Sequence, residues 1–129
     1  MAFIFRSMCV LSCLAHFSCG EDAIEPRFSV IQEKIFTPSC AFSSCHDAVS
    51  PENELDLTKD NAYTSLMQGA SPDTYVARVV AGEPDKSLLY LSLVGQTPED
   101  IRAMPLGGVL DQSEIDAIKA WINEGALDN

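Results

Sequence analysis

All five cysteines of this chain, Cys9, Cys13, Cys19, Cys40 and Cys45, lie at or before position 45, and His46, directly after the last of them, is followed by no further cysteine or histidine. A disulfide framework that staples a small domain joins segments along the whole chain, so this distribution excludes one. A closed zinc site wants four ligands, and Cys40, Cys45 and His46 offer three with none to come. The Cys40–Cys45 spacing is too long for a C-x-x-C redox dithiol, and no thioredoxin-like βαβ pattern surrounds it. A local Cys40–Cys45 disulfide in an oxidising compartment is a reading that the pattern leaves open. Whatever these residues do, they do it locally, in one short segment.

The rest of the chain bounds that segment's setting. With 129 residues there is room for one domain with a modest core. Apolar types make up 47% of the residues and the charged 21% is spread rather than blocked, which describes a folded domain rather than a disordered chain. The formal net charge of −11 argues against nucleic acid, whose phosphates demand a basic face. The acidity reads first as a solvated surface and names no partner.

Residues 1–19 read as an export leader: Arg6 supplies the positive start, and an apolar run through Met8, Val10, Leu11, Leu14 and Ala15 follows. That run is too short to span a bilayer, which takes roughly 20 apolar residues. Phe17-Ser18-Cys19-Gly20-Glu21-Asp22 resembles the processing site of bacterial lipoproteins, in which a small residue precedes the cysteine that becomes lipidated. This makes Cys19 the candidate lipidation site. The other reading is an ordinary cleaved signal, with Val10-Leu11-Ser12-Cys13 as a rival position for the lipid. Either way the expected compartment is the periplasm or cell envelope, with the membrane touched only through a lipid anchor.

Residues 20–27 are acidic and without apolar period, so they read as a tether to a domain over 28–129. Phe28, Ile31 and Ile35 mark one face of an amphipathic helix that Pro26 opens and Pro38 is expected to close. Asp111 and Glu114 form a capping-box pair ahead of Ile115, Ile118, Trp121 and Ile122, with Gly125 placed to stop the helix. Between these, Asp60 is expected to cap a short helix through Leu66 and Met67, and Asp85 one over the apolar run 87–93. Turn signals abound and no alternating strands call for a sheet. The expected class is all-α, three to four helices with long loops, and such a chain has little core of its own.

The chemistry sits in Ser39-Cys40-Ala41-Phe42-Ser43-Ser44-Cys45-His46. Attachment of a c-type haem uses two cysteine thioethers, and the histidine after the second cysteine is carried beneath the iron. The usual spacing is C-x-x-C-H; here it is C-x-x-x-x-C-H, and two extra residues can bulge outward without moving the Cys45-His46 pair. With His16 in the leader, the second iron ligand must be a thioether. Met104 lies in Arg102-Ala103-Met104-Pro105-Leu106-Gly107-Gly108, a stiff irregular loop that can aim a sulfur, whereas Met67 lies on an expected helix and reads as core.

Together these residues resemble a single-haem His/Met cytochrome c domain of bacterial surface lipoproteins. The resemblance covers roughly residues 28–127 and rests on Ile35-Phe36, Cys40, Cys45-His46, the run Arg78 to Pro84 with Ser87-Leu88-Leu89-Tyr90, Met104-Pro105, Gly107-Gly108, and the Ile115–Gly125 helix. It implies a cytochrome c-like fold in which the first and last helices cross at one haem edge, Phe36 comes near Trp121, and the middle loops wrap the porphyrin. It also implies one covalent haem c on Cys40 and Cys45, axial ligands His46 and Met104, and electron transfer with redox partner proteins rather than catalysis. Arg78, Arg102 and Tyr63 are the residues to examine as partners of the haem carboxylates. Two rival functions are a haem-free structural or binding lipoprotein with a Cys40–Cys45 disulfide, and a peroxidase-like or dehydrogenase-fused enzyme module. No general base, nucleophile or second haem motif supports the latter.

Overall fold

The apolar spacing that begins at Phe28 produces a helix, but one that does not end where proline would end it. In the computed structural model, which describes residues 23–72, 76–99 and 101–129, α1 (Phe28–Ile31) runs into a π-helical segment (Gln32–Phe36) and on into α2 (Thr37–Ser39). Pro38 therefore lies inside the last helical turn instead of closing the helix before it. The reason is the wider π turn, in which the Thr37 N–H reaches back to the Gln32 carbonyl. Proline has no N–H to contribute to the ladder, and the Cys40 and Ala41 N–H groups both turn to the Phe36 carbonyl at 2.9 Å. The leader at 1–19, with Cys19, lies outside the described residues. Within the segment read as tether, Ile24 packs against the core and Arg27 pairs with Glu25 at 2.8 Å.

Three further helices follow: α3 (Ala62–Met67), α4 (Leu88–Leu93) and α5 (Gln112–Asn123). Among the described residues there is no strand, only an isolated bridge between Ala70 and Ala77, so the fold is all-α. Two of the expected caps are corrected. Asp60 does not cap α3. The turn before that helix is organised by Asp56, whose carboxylate accepts from the Thr58 N–H and hydroxyl and from the Asn61 amide. Asp85 does not cap α4 either, because Pro84–Lys86 form a short 3₁₀ turn and Ser87 occupies the cap position. Ser87 is fully buried; its Oγ accepts the Val80 N–H and donates to the Glu83 carbonyl.

The last helix follows the sequence closely. The Asp111 N–H donates to Glu114 Oε2 at 2.8 Å, the return half of a capping box. At the other end Gly125 takes φ 103°, a conformation costly for any residue with a Cβ. Its N–H bonds to the Ile122 carbonyl and that of Ala126 to the Trp121 carbonyl, the paired bonds of a Schellman stop.

The core joins the first and last helices. Phe28, Ile31, Ile35 and Phe36 from one side meet Ala117, Ile118, Trp121 and Ile122 from the other, with Ala62 and Leu66 of α3 between them. The aromatic ring that meets Trp121 is Phe28, at 5.3 Å between centroids; Phe28 also touches Tyr63 at 5.1 Å and Phe36 at 6.2 Å. The gathering of aromatics centres on Phe28 rather than on a Phe36–Trp121 pair. A turn at Gly82, φ 79°, ties the middle of the chain to α5 through its N–H and the Ile122 carbonyl at 2.7 Å.

Candidate functional site

The first helix delivers the chain to Cys40, and the five residues after it fold back on themselves. The Cys45 N–H donates to the Phe42 carbonyl at 3.0 Å and the His46 N–H to the Cys40 carbonyl at 3.3 Å. Ser44 takes a left-handed φ of 68° to close this turn, and Ser43 and Ser44 are exposed. The residues between the two cysteines thus form a closed turn, with Cys40 and His46 held across its base. Both cysteines carry free thiols, Cys45 exposed and Cys40 partly covered. Burial, with Glu114 and Cys45 adding to it, pushes the Cys40 thiol up to about 11, so it is uncharged at neutral pH.

His46 is held from below by the segment at 55–57. Its backbone carbonyl accepts the Leu57 N–H at 2.9 Å, and its Nδ1 lies 3.1 Å from the Leu55 carbonyl oxygen. A carbonyl oxygen only accepts, so the proton is on Nδ1 and the lone pair on Nε2. Burial pushes the His46 imidazole below its ordinary value, outweighing the Leu55 and Glu52 carbonyl contacts, so the neutral form is favoured. A half-buried neutral imidazole with Nδ1 tied to a backbone carbonyl leaves Nε2 as its free acceptor, as metal-ligating histidines also do.

That supporting segment is itself held in place. Asn53 and Glu54 adopt left-handed φ values of 52° and 57°, uncommon for residues with side chains. The Arg78 guanidinium donates to the Asn53 carbonyl at 2.6 Å and to the Ser65 carbonyl of α3 at 2.9 Å. Arg78 is 7% exposed, and burial lowers its pKa.

Met104 arrives from the opposite end of the chain. Its loop is fixed by the Thr97 hydroxyl on the Ile101 carbonyl at 2.6 Å and by the Met104 N–H on the Ser92 carbonyl, at the end of α4, at 2.9 Å. Cys40, Cys45, His46 and Met104 all line one cavity of about 640 Å³. Phe36, Leu57, Leu66, Leu93, Ile101 and Ile118 give it apolar walls, and Arg78 and Arg102 are the cations on its boundary. This volume falls within the roughly 300–1,000 Å³ of pockets that enclose small molecules and cofactors. A shallower hollow of about 450 Å³ beside Ile24 and α5 contains none of the four residues.

Met67 packs against the core and is not on the cavity wall. Tyr63 is also absent from that wall; its hydroxyl donates to the Ala126 carbonyl at 2.9 Å. Gln32 was not marked by the sequence reading, although a signal existed, since it sits one turn from both Phe28 and Phe36 on the buried stripe. Among the described residues no three His, Cys, Asp or Glu side chains are grouped to hold a metal ion. No helix among them is long and apolar enough to cross a membrane. Comparison with family models, with curated proteins and with solved structures finds no match to this chain.

Proposed function

We propose that this chain is a single-haem electron-transfer protein of the cytochrome c type, exported and held at the cell envelope by a lipid on Cys19. The observation that carries the reading is the meeting of Cys40, Cys45 and His46 with Met104, from distant parts of the sequence, on one apolar cavity. Two sulfur nucleophiles, a neutral imidazole and a thioether are the donor set that such a haem requires. The apolar lining suits the macrocycle, and Arg78 and Arg102 offer cationic donors for its carboxylates. When bound, the haem supplies a one-electron iron couple.

The protein's own residues then have separate tasks. Cys40 and Cys45 would hold the haem covalently, each thiol adding S–H across one vinyl double bond with nothing expelled. His46 would offer Nε2 to the metal, because Nδ1 is hydrogen-bonded to the Leu55 carbonyl. Met104 would supply the second iron ligand, and a soft neutral thioether in apolar surroundings would favour the reduced state. The role is to relay electrons between redox partner proteins.

The test is an alkaline pyridine spectrum of protein made in a host with haem-attachment machinery. It should report one haem per chain with both vinyl groups saturated, and the colour should survive denaturation. A colourless protein with Cys40 bonded to Cys45 would reject the reading in favour of a haem-free lipoprotein.

A further inference from the structure

Gln32 is the polar side chain on the otherwise apolar inner face of the first helix, 4% exposed. Its Nε2 donates to the Leu57 carbonyl at 2.9 Å and to Thr37 Oγ1 at 3.2 Å. Its Oε1 is buried with no hydrogen-bond partner. A buried amide with a bare oxygen is costly, and the hydrogen bonds from its nitrogen are what offset that cost. Its one tie to another part of the fold is the Leu57 carbonyl.

That carbonyl belongs to the segment that holds His46 in two places. The Leu57 N–H donates to the His46 carbonyl, and the Leu55 carbonyl accepts from His46 Nδ1. Between them, the Asp56 N–H donates to Ser65 Oγ at 3.0 Å. Gln32 itself does not line the cavity, so any influence it has there passes through residues 55–57. It also opens the π-helical segment, a local widening frequent at functional sites.

We propose that Gln32 is a positioning residue for the His46 ligand: its amide anchors the Leu57 carbonyl, and thereby fixes the strap whose Leu55 carbonyl orients the imidazole. The proposal rests on the haem reading above. A ring nitrogen hydrogen-bonded to a carbonyl makes the imidazole a stronger donor to the metal, which favours the oxidised iron. Loosening the strap weakens that bond and raises the midpoint potential.

The experiment compares Gln32→Met, which keeps the length and loses the donor, with Phe28→Leu, a core change that removes no hydrogen bond to the strap. Both are made in the full haem-loaded protein. Tm, midpoint potential and solvent exchange of the His46 Nδ1 proton in the reduced protein are measured. Both substitutions are expected to lower Tm. Only Gln32→Met should also raise the potential and speed the Nδ1 proton exchange, because only it frees the strap that carries the Leu55 carbonyl. If Gln32→Met does not fold, Gln32→Asn, which withdraws the amide by one methylene, should shift both readouts in the same direction. Coloured variants that lose Tm but keep the wild-type potential and exchange rate would overturn the assignment of Gln32 and leave the haem reading standing. A wild-type protein without haem overturns the reading of the site, and this proposal with it.

Discussion

Replacing Arg78 with methionine tests how the base of the site is built. The guanidinium gives charge-assisted hydrogen bonds to two backbone carbonyls, Asn53 at 2.6 Å and Ser65 at 2.9 Å. Bonds of this kind contribute about 1.5–3 kcal/mol each, so about 3–6 kcal/mol is lost before any return. Part returns because Arg78 is buried without an ion pair to a carboxylate among the described residues, and its desolvation penalty disappears with the charge. A net loss of about 2–4 kcal/mol follows, which for a domain of roughly 100 residues lowers Tm by about 10–25 °C. The left-handed Asn53 and Glu54 lose their clamp at the same time, so the turn should also become more open to proteolysis.

Gly69 supplies an internal check on this reasoning. A Cβ at that position would overlap the Arg78 guanidinium and come within 2.5 Å of the Ser65 carbonyl oxygen. Gly69→Ala therefore pushes on the same bond that Arg78→Met removes, and the second substitution should cost less in the background of the first. Urea denaturation of the two single variants and the double variant measures the coupling. A loss below about 1 kcal/mol for Arg78→Met, or strict additivity of the pair, would refute the clamp, since neighbouring residues that share a partner do not add.

Met104→Ala should lower the midpoint potential and let the reduced protein bind small ligands such as carbon monoxide, whereas Met67→Leu should change neither; redox titration and absorption spectra decide. Phe28→Ala removes the ring that touches Phe36, Tyr63 and Trp121 and should cost about 3–5 kcal/mol, read by chemical denaturation. Desolvation raises the Asp56 carboxyl, but the hydrogen bonds from Thr58 and Asn61 together outweigh it and hold the group below the usual carboxylate range. A depressed folded-state pKa contributes stability that is present above the unfolded-state value and is lost as pH falls through the folded one. Wild type should therefore exceed Asp56→Asn in stability at neutral pH, and the gap should close in acid; a pH series of urea midpoints checks it.

The features legible in the sequence are those whose partners lie within one helical turn. Asp111 and Glu114 announce their mutual bond by spacing alone, and Gly125 marks a stop because few other residues tolerate its φ. The stripe from Phe28 to Ile35 gives the first helix, since burial on one face needs no knowledge of what covers it. Pro38 misled because the rule for proline assumes an α-helical ladder, and the π turn before it rearranges the acceptors. Asp60 and Asp85 misled because a carboxylate near a helix start can cap the helix but need not do so. Asp56 and Ser87 took the organising positions through bonds that depend on the exact path of the turn.

The candidate site divides along the same line. Cys40, Cys45, His46 and Met104 are readable because chemistry restricts which residue types can bind a metal or form a thioether, wherever they sit. Their supports are not readable, because Gln32 and Arg78 act on the carbonyls of Leu57, Asn53 and Ser65, and every residue has a carbonyl. Both support residues nonetheless share a mark: each is a buried polar side chain that carries a desolvation penalty and donates N–H groups to backbone carbonyls. Such residues point to backbone that must be held in a shape it would not keep unaided. Here that backbone, with left-handed turns at Asn53 and Glu54, is the stretch that fixes the imidazole of His46.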